Sequence, residues 1–316
     1  MSDLAVVGAG AWGTALALQA VRAGRSVVLW ARDPARLATR ENPRLPGFRL
    51  PDAVRVTGDL PSAPLVLLAV PLQHMRAVAA LLPPGGPLVV CAKGVESGTG
   101  RLPLEVIAEA QPGRPAAVLS GPNFAHEIAA GLPAATVAAA TVAAVREAVA
   151  AALGTPSFRI YGNDDPVGAQ VGGAAKNVVA IAAGAVIGAG LGENARAALV
   201  TRGLAELARL AVALGGRADT VAGLSGLGDL MLTCTGTSSR NFSLGFALGR
   251  GERLEHVLGR RDAVTEGVAT APALVARAGE VGAELPVCAA VAGVVIGRLT
   301  LQQAMDLLLS RPRKDE

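Results

Sequence analysis

Near its start the chain reads Val6-Val7-Gly8-Ala9-Gly10-Ala11-Trp12-Gly13, which places glycines at the three positions of the pattern GxGxxG. An apolar run at residues 4–7 predicts a buried strand before the glycines, and residues 14–23 predict a helix after them. The first glycine permits a tight turn, the second lets a pyrophosphate approach the backbone, and the third lets the helix pack closely on the sheet. A strand, this loop and a helix in that order predict a dinucleotide-binding domain.

The composition is typical of a two-domain globular protein with a large core. The 316 residues exceed one ordinary domain, and 51% of them are hydrophobic against 17% charged. A net charge of +4 suits anionic ligands, and the chain has no basic run interleaved with aromatic residues that would indicate nucleic-acid binding. Cys91, Cys234 and Cys288 have no metal-ligand spacing and predict reduced thiols in a cytoplasmic protein. We expect no metal site, no targeting segment and no membrane span.

The order of the predicted elements indicates an α/β fold followed by helices. In the first half, apolar runs alternate with helical patterns, which predicts a Rossmann-like, doubly wound parallel sheet. The predicted strands are residues 4–7, 26–30, 65–70, 87–92, 116–119, 134–139 and 157–161, and the predicted helices are 14–23, 33–39, 72–82 and 142–153. Beyond Asp165 the pattern is helical, with the longest runs at 167–189 and 195–214. We therefore predict a dinucleotide-binding domain at residues 1–165 and an all-α substrate-binding and catalytic domain at residues 166–316.

The tip of the second predicted strand bears on the choice of cofactor. An acidic residue there would bind the ribose hydroxyls and favour NADH, but Trp30 and Ala31 occupy these positions. Arg32 follows them, and its guanidinium suits a 2′-phosphate. We expect NADPH or NADH as the cofactor, with NADPH slightly favoured. The alternative is that Arg32 is a surface arginine and that Asp33 caps a helix.

A lone lysine stands in the apolar, small-residue stretch Gly173-Ala174-Ala175-Lys176-Asn177. Removing an ammonium group from water lowers its pKa from about 10.4 toward neutrality. Such a lysine can donate a proton to a carbonyl oxygen while a hydride is delivered to the carbon. The alternative is a lysine that reaches solvent from the end of a helix.

Further polar groups predict an anionic substrate. Lys93 follows a predicted strand, at the end where parallel strands bind ligands, and a glycine-rich turn delivers Asp229. Asp229 is suited either to accept a substrate hydroxyl or to steady Lys176. Thr237-Ser238-Ser239-Arg240-Asn241 precedes a helical run, so hydroxyls, a guanidinium and helix amides converge as in a phosphate receptor. The alternatives are a solvated loop lysine and an ordinary serine cap beside a surface arginine.

In its ordered motifs the chain resembles NAD(P)-dependent glycerol-3-phosphate dehydrogenase of the soluble bacterial type, over nearly its whole length. The motifs are Val7–Ala17, Ala92-Lys93-Gly94, Ser120-Gly121-Pro122-Asn123-Phe124-Ala125, Gly172–Asn177, Asn194–Leu199, Gly226–Leu230, Ser239-Arg240-Asn241 and Glu266-Gly267. The resemblance implies reversible reduction of dihydroxyacetone phosphate by NAD(P)H to sn-glycerol 3-phosphate. That product supplies glycerophospholipid synthesis.

The resemblance also implies roles for individual residues. The implied catalytic residues are Lys176, as proton acceptor and donor, with Lys93 and Asp229. The implied cofactor contacts are Gly8, Gly10, Ala11, Trp12, Gly13, Arg32, Lys93, Ala125, Arg240, Val264 and Glu266. The implied substrate contacts are Lys93, Gly121, Asn123, Lys176, Asp229, Ser239, Arg240 and Asn241. Position 123 commonly carries serine or threonine in the family, so Asn123 puts the geometry of substrate binding in question.

Two other functions are compatible with parts of the pattern. A related two-domain reductase would act on a carboxylate such as a 3-hydroxyacid, but the phosphate-like clamp argues against it. A dinucleotide-sensing protein would bind NADPH without needing Lys176. The alanine-rich helices of the second half are candidates for the face of a homodimer.

Overall fold

The structure, a computed structural model, describes residues 2–260 and 265–312. The chain divides into two compact units. One contains Met1–Lys93 and Leu102–Ala169, and the other contains Gly94–Arg101 and Gln170–Glu316. The short segment at Gly94–Arg101, which belongs to the second unit, has no counterpart in the division that the sequence predicts.

The first unit is built on one eight-stranded sheet with helices between its strands. The strands of the unit are β1 (Leu4–Val7), β2 (Val27–Trp30), β3 (Glu41–Asn42), β4 (Leu45–Arg49), β5 (Val54–Thr57), β6 (Val66–Leu68), β7 (Leu88–Val90), β8 (Ala116–Ser120), β9 (Ala134–Ala139) and β10 (Phe158–Asn163). The helices are α1 (Ala11–Arg22), α2 (Leu72–Ala80), α3 (Pro103–Ala110), α4 (Ala125–Ala130) and α5 (Ala143–Leu153). The strand order is β10-β9-β8-β7-β6-β1-β2-β5, with β3 and β4 forming a separate hairpin.

Alternating side chains give the sheet two apolar faces. Leu4 and Val6 lie in one buried cluster with residues of α1, α4 and α5, whereas Ala5 and Val7 lie in another with residues of α2 and α3. Successive residues of a strand point to opposite faces, so both faces of β1 are covered by helices. The predicted doubly wound α/β fold is confirmed. One neighbouring pair, β8 and β9, is antiparallel rather than parallel.

The largest difference from the sequence-based elements lies between β2 and β5. The predicted helix at residues 33–39 is a single 3-10 turn, Pro34–Leu37, and the Asp33 side chain makes no cap bond to it. The turn ends before Arg40, whose backbone is left-handed with φ of 61°. The Arg40 guanidinium donates to the carbonyls of Leu50 and Val54, which ties the β3–β4 hairpin to the edge of the sheet. The segment predicted as a helix therefore forms only this short turn before the hairpin.

The regular secondary structure of the second unit consists of helices, with no strand among its described residues. After α6 (Pro166–Gly188), which begins in the first unit, come α7 (Gly192–Ala213), α8 (Ala218–Ala222), a π-helical turn (Leu224–Gly228), α9 (Asp229–Cys234), α10 (Arg240–Gly249), α11 (Leu254–Gly259), α12 (Glu266–Glu280), α13 (Pro286–Val295) and α14 (Leu301–Leu309). The predicted helical second half is therefore confirmed. Helix α6 is long and apolar enough to cross a membrane, but 89% of its most apolar window is buried inside the protein, as expected for a core helix.

Glycines let α6 and α10 approach each other closely. A Cβ atom on Gly184 would lie 2.0 Å from the Phe242 carbonyl oxygen, and one on Gly245 would lie 1.8 Å from the Ile181 carbonyl oxygen. Neither helix has room for a side chain at these points. The close crossing brings the first turn of α10 beside the middle of α6.

Candidate active site

The glycine loop of the first unit has the conformation that its sequence predicts. Gly8 has φ of +116°, in the region that favours glycine, and a Cβ on Gly13 would lie 1.9 Å from the Gly8 carbonyl oxygen. At Gly10, by contrast, no atom lies within 4 Å of the position that a Cβ would take. The loop is therefore closed on its protein side and open at the second glycine.

The start of α1 is suited to an anion. Gly10 is the N-cap residue, no side chain caps the helix within the described part of the chain, and the first turn, which contains Ala11 and Trp12, holds no acidic residue. The first amides of a helix have no partner within the helix and carry a partial positive charge. The open space at Gly10 and these amides fit the pyrophosphate of a dinucleotide.

At the tip of β2 the arginine is exposed. Asp33 accepts a hydrogen bond from Arg36 Nε at 3.2 Å, and the Trp30 indole donates to the Gly58 carbonyl at 2.9 Å. The Arg32 side chain makes no hydrogen bond or ion pair with any described residue and lies at the surface. This arrangement offers a cation where a carboxylate would otherwise select the ribose hydroxyls.

A polar cluster lies at the ends of β7 and β8. Lys93 Nζ donates to the Gly121 carbonyl at 3.2 Å, and Asn123 Nδ2 donates to Thr136 Oγ1 at 3.0 Å. Asn123 Oδ1 and the Ser120 hydroxyl are buried and have no partner among the described residues. Buried polar atoms are normally paired, so two open ones in one cluster indicate a place for a polar ligand.

In the second unit, Lys176 of α6 forms an ion pair with Asp229, the first residue of α9. The lysine is 8% exposed and the aspartate is fully buried. Burial favours the neutral amine, whereas the neighbouring carboxylate favours the ammonium form. This contact is the one expected if Asp229 steadies Lys176, and the other role left open for Asp229, accepting a substrate hydroxyl, stays a prediction.

The glycine-rich turn brings Asp229 to α6. A Cβ on Gly172 would lie 2.6 Å from the Ser225 carbonyl oxygen, and one on Gly226 would lie 1.9 Å from the Val221 carbonyl oxygen. The turn therefore packs directly on α6 one helical turn before Lys176. Its π-helical form is a feature often found at functional sites.

The start of α10 is joined to α6 and α12 by side-chain amides. Asn241 Nδ2 donates to Asn177 Oδ1 at 2.9 Å, and Asn241 Oδ1 accepts from the Gly267 amide at 3.1 Å. Asn177 Nδ2 in turn donates to Glu266 Oε2 at 3.4 Å. The network connects two predicted site residues, Asn241 and Glu266, to the residue that follows Lys176.

Two other members of the predicted phosphate receptor lie at the same helix end. The Ser239 hydroxyl accepts from the Phe242 amide at 3.2 Å and so caps α10. Arg240 is exposed at the first position of the helix. The serine-cap alternative is thus realised, and the hydroxyl hydrogen of Ser239 is not used by that bond.

The predicted site residues fall into two groups, one in each unit. The first unit holds Gly8, Gly10, Ala11, Trp12, Gly13, Arg32, Lys93, Gly121, Asn123 and Ala125, and the second holds Lys176, Asp229, Ser239, Arg240, Asn241 and Glu266. Val264 lies outside the described residues. The prediction did not include Ser120, although it is part of a motif that the sequence shows, because an unpartnered hydroxyl can be recognised only in the structure.

Cys91, Cys234 and Cys288 are free and buried. Burial raises the pKa of Cys234 to about 12, although the nearby charge of Lys176 acts in the opposite direction. No group of three histidine, cysteine or acidic side chains that could hold a metal occurs in residues 2–260 and 265–312.

Comparison with known proteins matches most of the chain to a single family. The family described as NAD-dependent glycerol-3-phosphate dehydrogenase N-terminus matches residues 3–145, and the corresponding C-terminus family matches residues 165–306. A glycerol-3-phosphate dehydrogenase (NAD(P)+) of Acidiphilium cryptum is 58% identical over 319 residues, covering 99% of this chain and 98% of the relative. The enzyme of the same name from Gluconobacter oxydans is 52% identical, covering 98% and 97%. A crystal structure of glycerol-3-phosphate dehydrogenase from Coxiella burnetii superimposes with a TM-score of 0.93 at 36% identity, covering 98% of each chain.

The ion pair generates a test of stability. Asp229→Asn leaves the buried Lys176 ammonium without its carboxylate, so we expect the free energy of unfolding to fall by about 3 kcal/mol. The double variant Lys176→Met/Asp229→Asn removes the uncompensated charge and should regain a large part of that loss. Urea unfolding of the three proteins measures both effects. A double variant that is less stable than Asp229→Asn would contradict this account of the pair.

Proposed function

The chain belongs to the NAD-dependent glycerol-3-phosphate dehydrogenase family, and we propose that it reduces dihydroxyacetone phosphate reversibly to sn-glycerol 3-phosphate with NADPH or NADH. The observation that carries this function is the buried pair of Lys176 and Asp229 in the second unit. Full-length relatives named for this activity, at 52% and 58% identity, support it. The product supplies the glycerol backbone of phospholipids.

The cofactor is assigned first to the glycine loop and the start of α1. Gly10, Ala11 and Trp12 present backbone to the pyrophosphate, while Gly8 and Gly13 keep the loop compact. When bound, the reduced nicotinamide supplies a hydride to C2 of the ketone. The further contacts that we assign to the cofactor are Arg32, Lys93, Ala125, Arg240, Val264 and Glu266.

The phosphate end of the substrate is assigned to the start of α10. The Ser239 hydroxyl, the Arg240 guanidinium and Asn241 lie there, and the exposed guanidinium supplies the charge that a phosphate needs. In the first unit we assign Lys93, Gly121 and Asn123 to the substrate. The open Asn123 Oδ1 is an acceptor for a substrate hydroxyl, a role that serine or threonine at this position would fill through oxygen as well.

Proton transfer is assigned to Lys176. In the direction of reduction, its ammonium gives a proton to the carbonyl oxygen at C2 while the carbon gains the hydride, and the resulting amine later regains a proton from solvent. In the reverse direction the amine accepts the proton of the C2 hydroxyl. Asp229 holds the lysine and stabilises its charged form. Lys93 is assigned to assist by binding and polarising the substrate.

We also propose that the protein acts in the cytoplasm as a homodimer. Three free, buried cysteines are consistent with a reducing compartment. The alanine-rich helix α7 exposes Ala197 and Ala198, which would let a second chain pack closely. Light scattering that returns the mass of a single chain would contradict the dimer.

Replacing the catalytic lysine by arginine separates charge from proton transfer. Lys176→Arg keeps a cation beside Asp229, but a guanidinium does not release its proton near neutral pH, so we expect kcat to fall about 10³-fold. Lys314→Arg, at a lysine that is not among the predicted site residues, serves as the matched control and should leave kcat unchanged. Oxidation of NADPH in the presence of dihydroxyacetone phosphate measures both. Turnover retained by Lys176→Arg would refute the assignment of proton transfer to Lys176. If the unaltered enzyme reacts with a hydroxyacid and not with dihydroxyacetone phosphate, the proposed substrate is wrong.

The cofactor preference is tested at Arg32. Because the guanidinium would pair with the 2′-phosphate, Arg32→Ala should raise KM for NADPH about tenfold and change KM for NADH little. Arg36→Ala is the control, since Arg36 is an exposed arginine on the same loop that pairs with Asp33. Steady-state kinetics with each cofactor give the ratio. If Arg32→Ala leaves the ratio of kcat/KM for NADPH to kcat/KM for NADH unchanged, Arg32 does not bind the 2′-phosphate.

A further inference from the structure

A buried asparagine that is not among the predicted site residues is hydrogen-bonded to the backbone of the glycine loop. Asn42, at the end of β3, is only 2% exposed. Its Nδ2 donates to the Ala9 carbonyl at 3.0 Å and to Thr14 Oγ1 at 2.6 Å. Its Oδ1 accepts from the Arg44 amide at 2.9 Å, within its own hairpin. Both donor hydrogens of the amide are thus used, and the amide links the β3–β4 hairpin to the loop and to α1.

The bond to Ala9 determines which way one peptide group faces. The Ala9 carbonyl and the Gly10 amide belong to the same planar trans peptide, so they point in opposite directions. Because Asn42 draws the carbonyl toward the hairpin, the Gly10 N–H is directed away from it. The same bond keeps the negative end of the peptide dipole away from an anion bound at the start of α1.

We propose that Asn42 is a positioning residue for the dinucleotide, acting through the Ala9–Gly10 peptide without touching the cofactor. The assignment rests on the proposed function, since it presumes that the loop binds a pyrophosphate. Because Asn42 donates two hydrogen bonds, a positioning role can be distinguished from a purely structural one by removing the bonds separately. The bond to Ala9 orients the loop, whereas the bond to Thr14 only anchors the hairpin to α1.

The experiment compares Asn42→Ala with Thr14→Ala. Asn42→Ala loses all three hydrogen bonds of the side-chain amide, and Thr14→Ala loses only the one to Thr14 Oγ1, so both should have a lower melting temperature than the unaltered protein. Fluorescence titration of NADPH into each protein without substrate should give a Kd about tenfold higher for Asn42→Ala, because the peptide is no longer held. For Thr14→Ala, which keeps the Ala9 bond, Kd should stay within about twofold of the unaltered protein. At saturating NADPH, Asn42→Ala should retain its kcat.

A second variant keeps the side-chain shape. Asn42→Asp replaces the donor group by an acceptor that repels the Ala9 carbonyl, so its Kd should exceed that of Asn42→Ala. Equal Kd values for the unaltered protein and Asn42→Ala, or equal increases in Asn42→Ala and Thr14→Ala, would overturn the positioning role and leave the proposed function standing. An unaltered protein that binds neither NADPH nor NADH would overturn the function and this role with it.

Discussion

A buried ammonium group needs a negative charge beside it, and this requirement organises the second unit around Lys176. The Asp229 carboxylate beside it is fully buried. A glycine-rich turn, whose backbone packs against α6, places this carboxylate next to Lys176. A side chain at Gly172 would push the turn away from α6 and separate the two charges, and one at Gly226 would collide with the Val221 backbone of α8. The small residues of this region are thus a consequence of the ion pair as much as of helix packing.

Proton transfer explains why a lysine, rather than an arginine, is buried at position 176. Only three of the 29 basic residues are lysines, namely Lys93, Lys176 and Lys314. Arginine is used elsewhere, for example where Arg22 donates to the Ile128 carbonyl at the end of α4. A guanidinium makes many hydrogen bonds but stays protonated near neutral pH, whereas a buried ammonium group can give up its proton. Two of the three lysines stand at positions where the proposed reaction places charge or a proton.

Sequence reasoning succeeded where a local pattern determines the structure. The strand β1, the loop after it and the long helices α6 and α7 were predictable because their apolar periodicity and glycines act over a few residues. The Lys176–Asp229 pair was foreseen only as one of two roles for Asp229. Which role is realised depends on a contact across 53 residues of chain, and spacing within a motif cannot specify it.

The β3–β4 hairpin was missed for a similar reason. Pro46 and Gly47, which are uncommon in strands, lie within β4, and the bonds that hold the hairpin run from Arg40 and Asn42 to distant backbone. Its polar residues resemble an ordinary loop in the sequence. Consequently Asn42, with no motif to mark it, could be recognised only from its contacts.

Both units use an asparagine amide to hold the backbone beside a glycine. Asn42 holds the Ala9 carbonyl next to Gly10, and Asn241 accepts from the Gly267 amide at the start of α12. A side-chain amide offers donors and an acceptor on one planar group and carries no net charge. A carboxylate in either place would add a negative charge close to where we propose that phosphate groups bind, and it could not donate the hydrogen bond that Asn42 makes to Ala9. A neutral amide therefore fixes the backbone while leaving the electrostatics of the site to the helix ends, the arginines and the lysines.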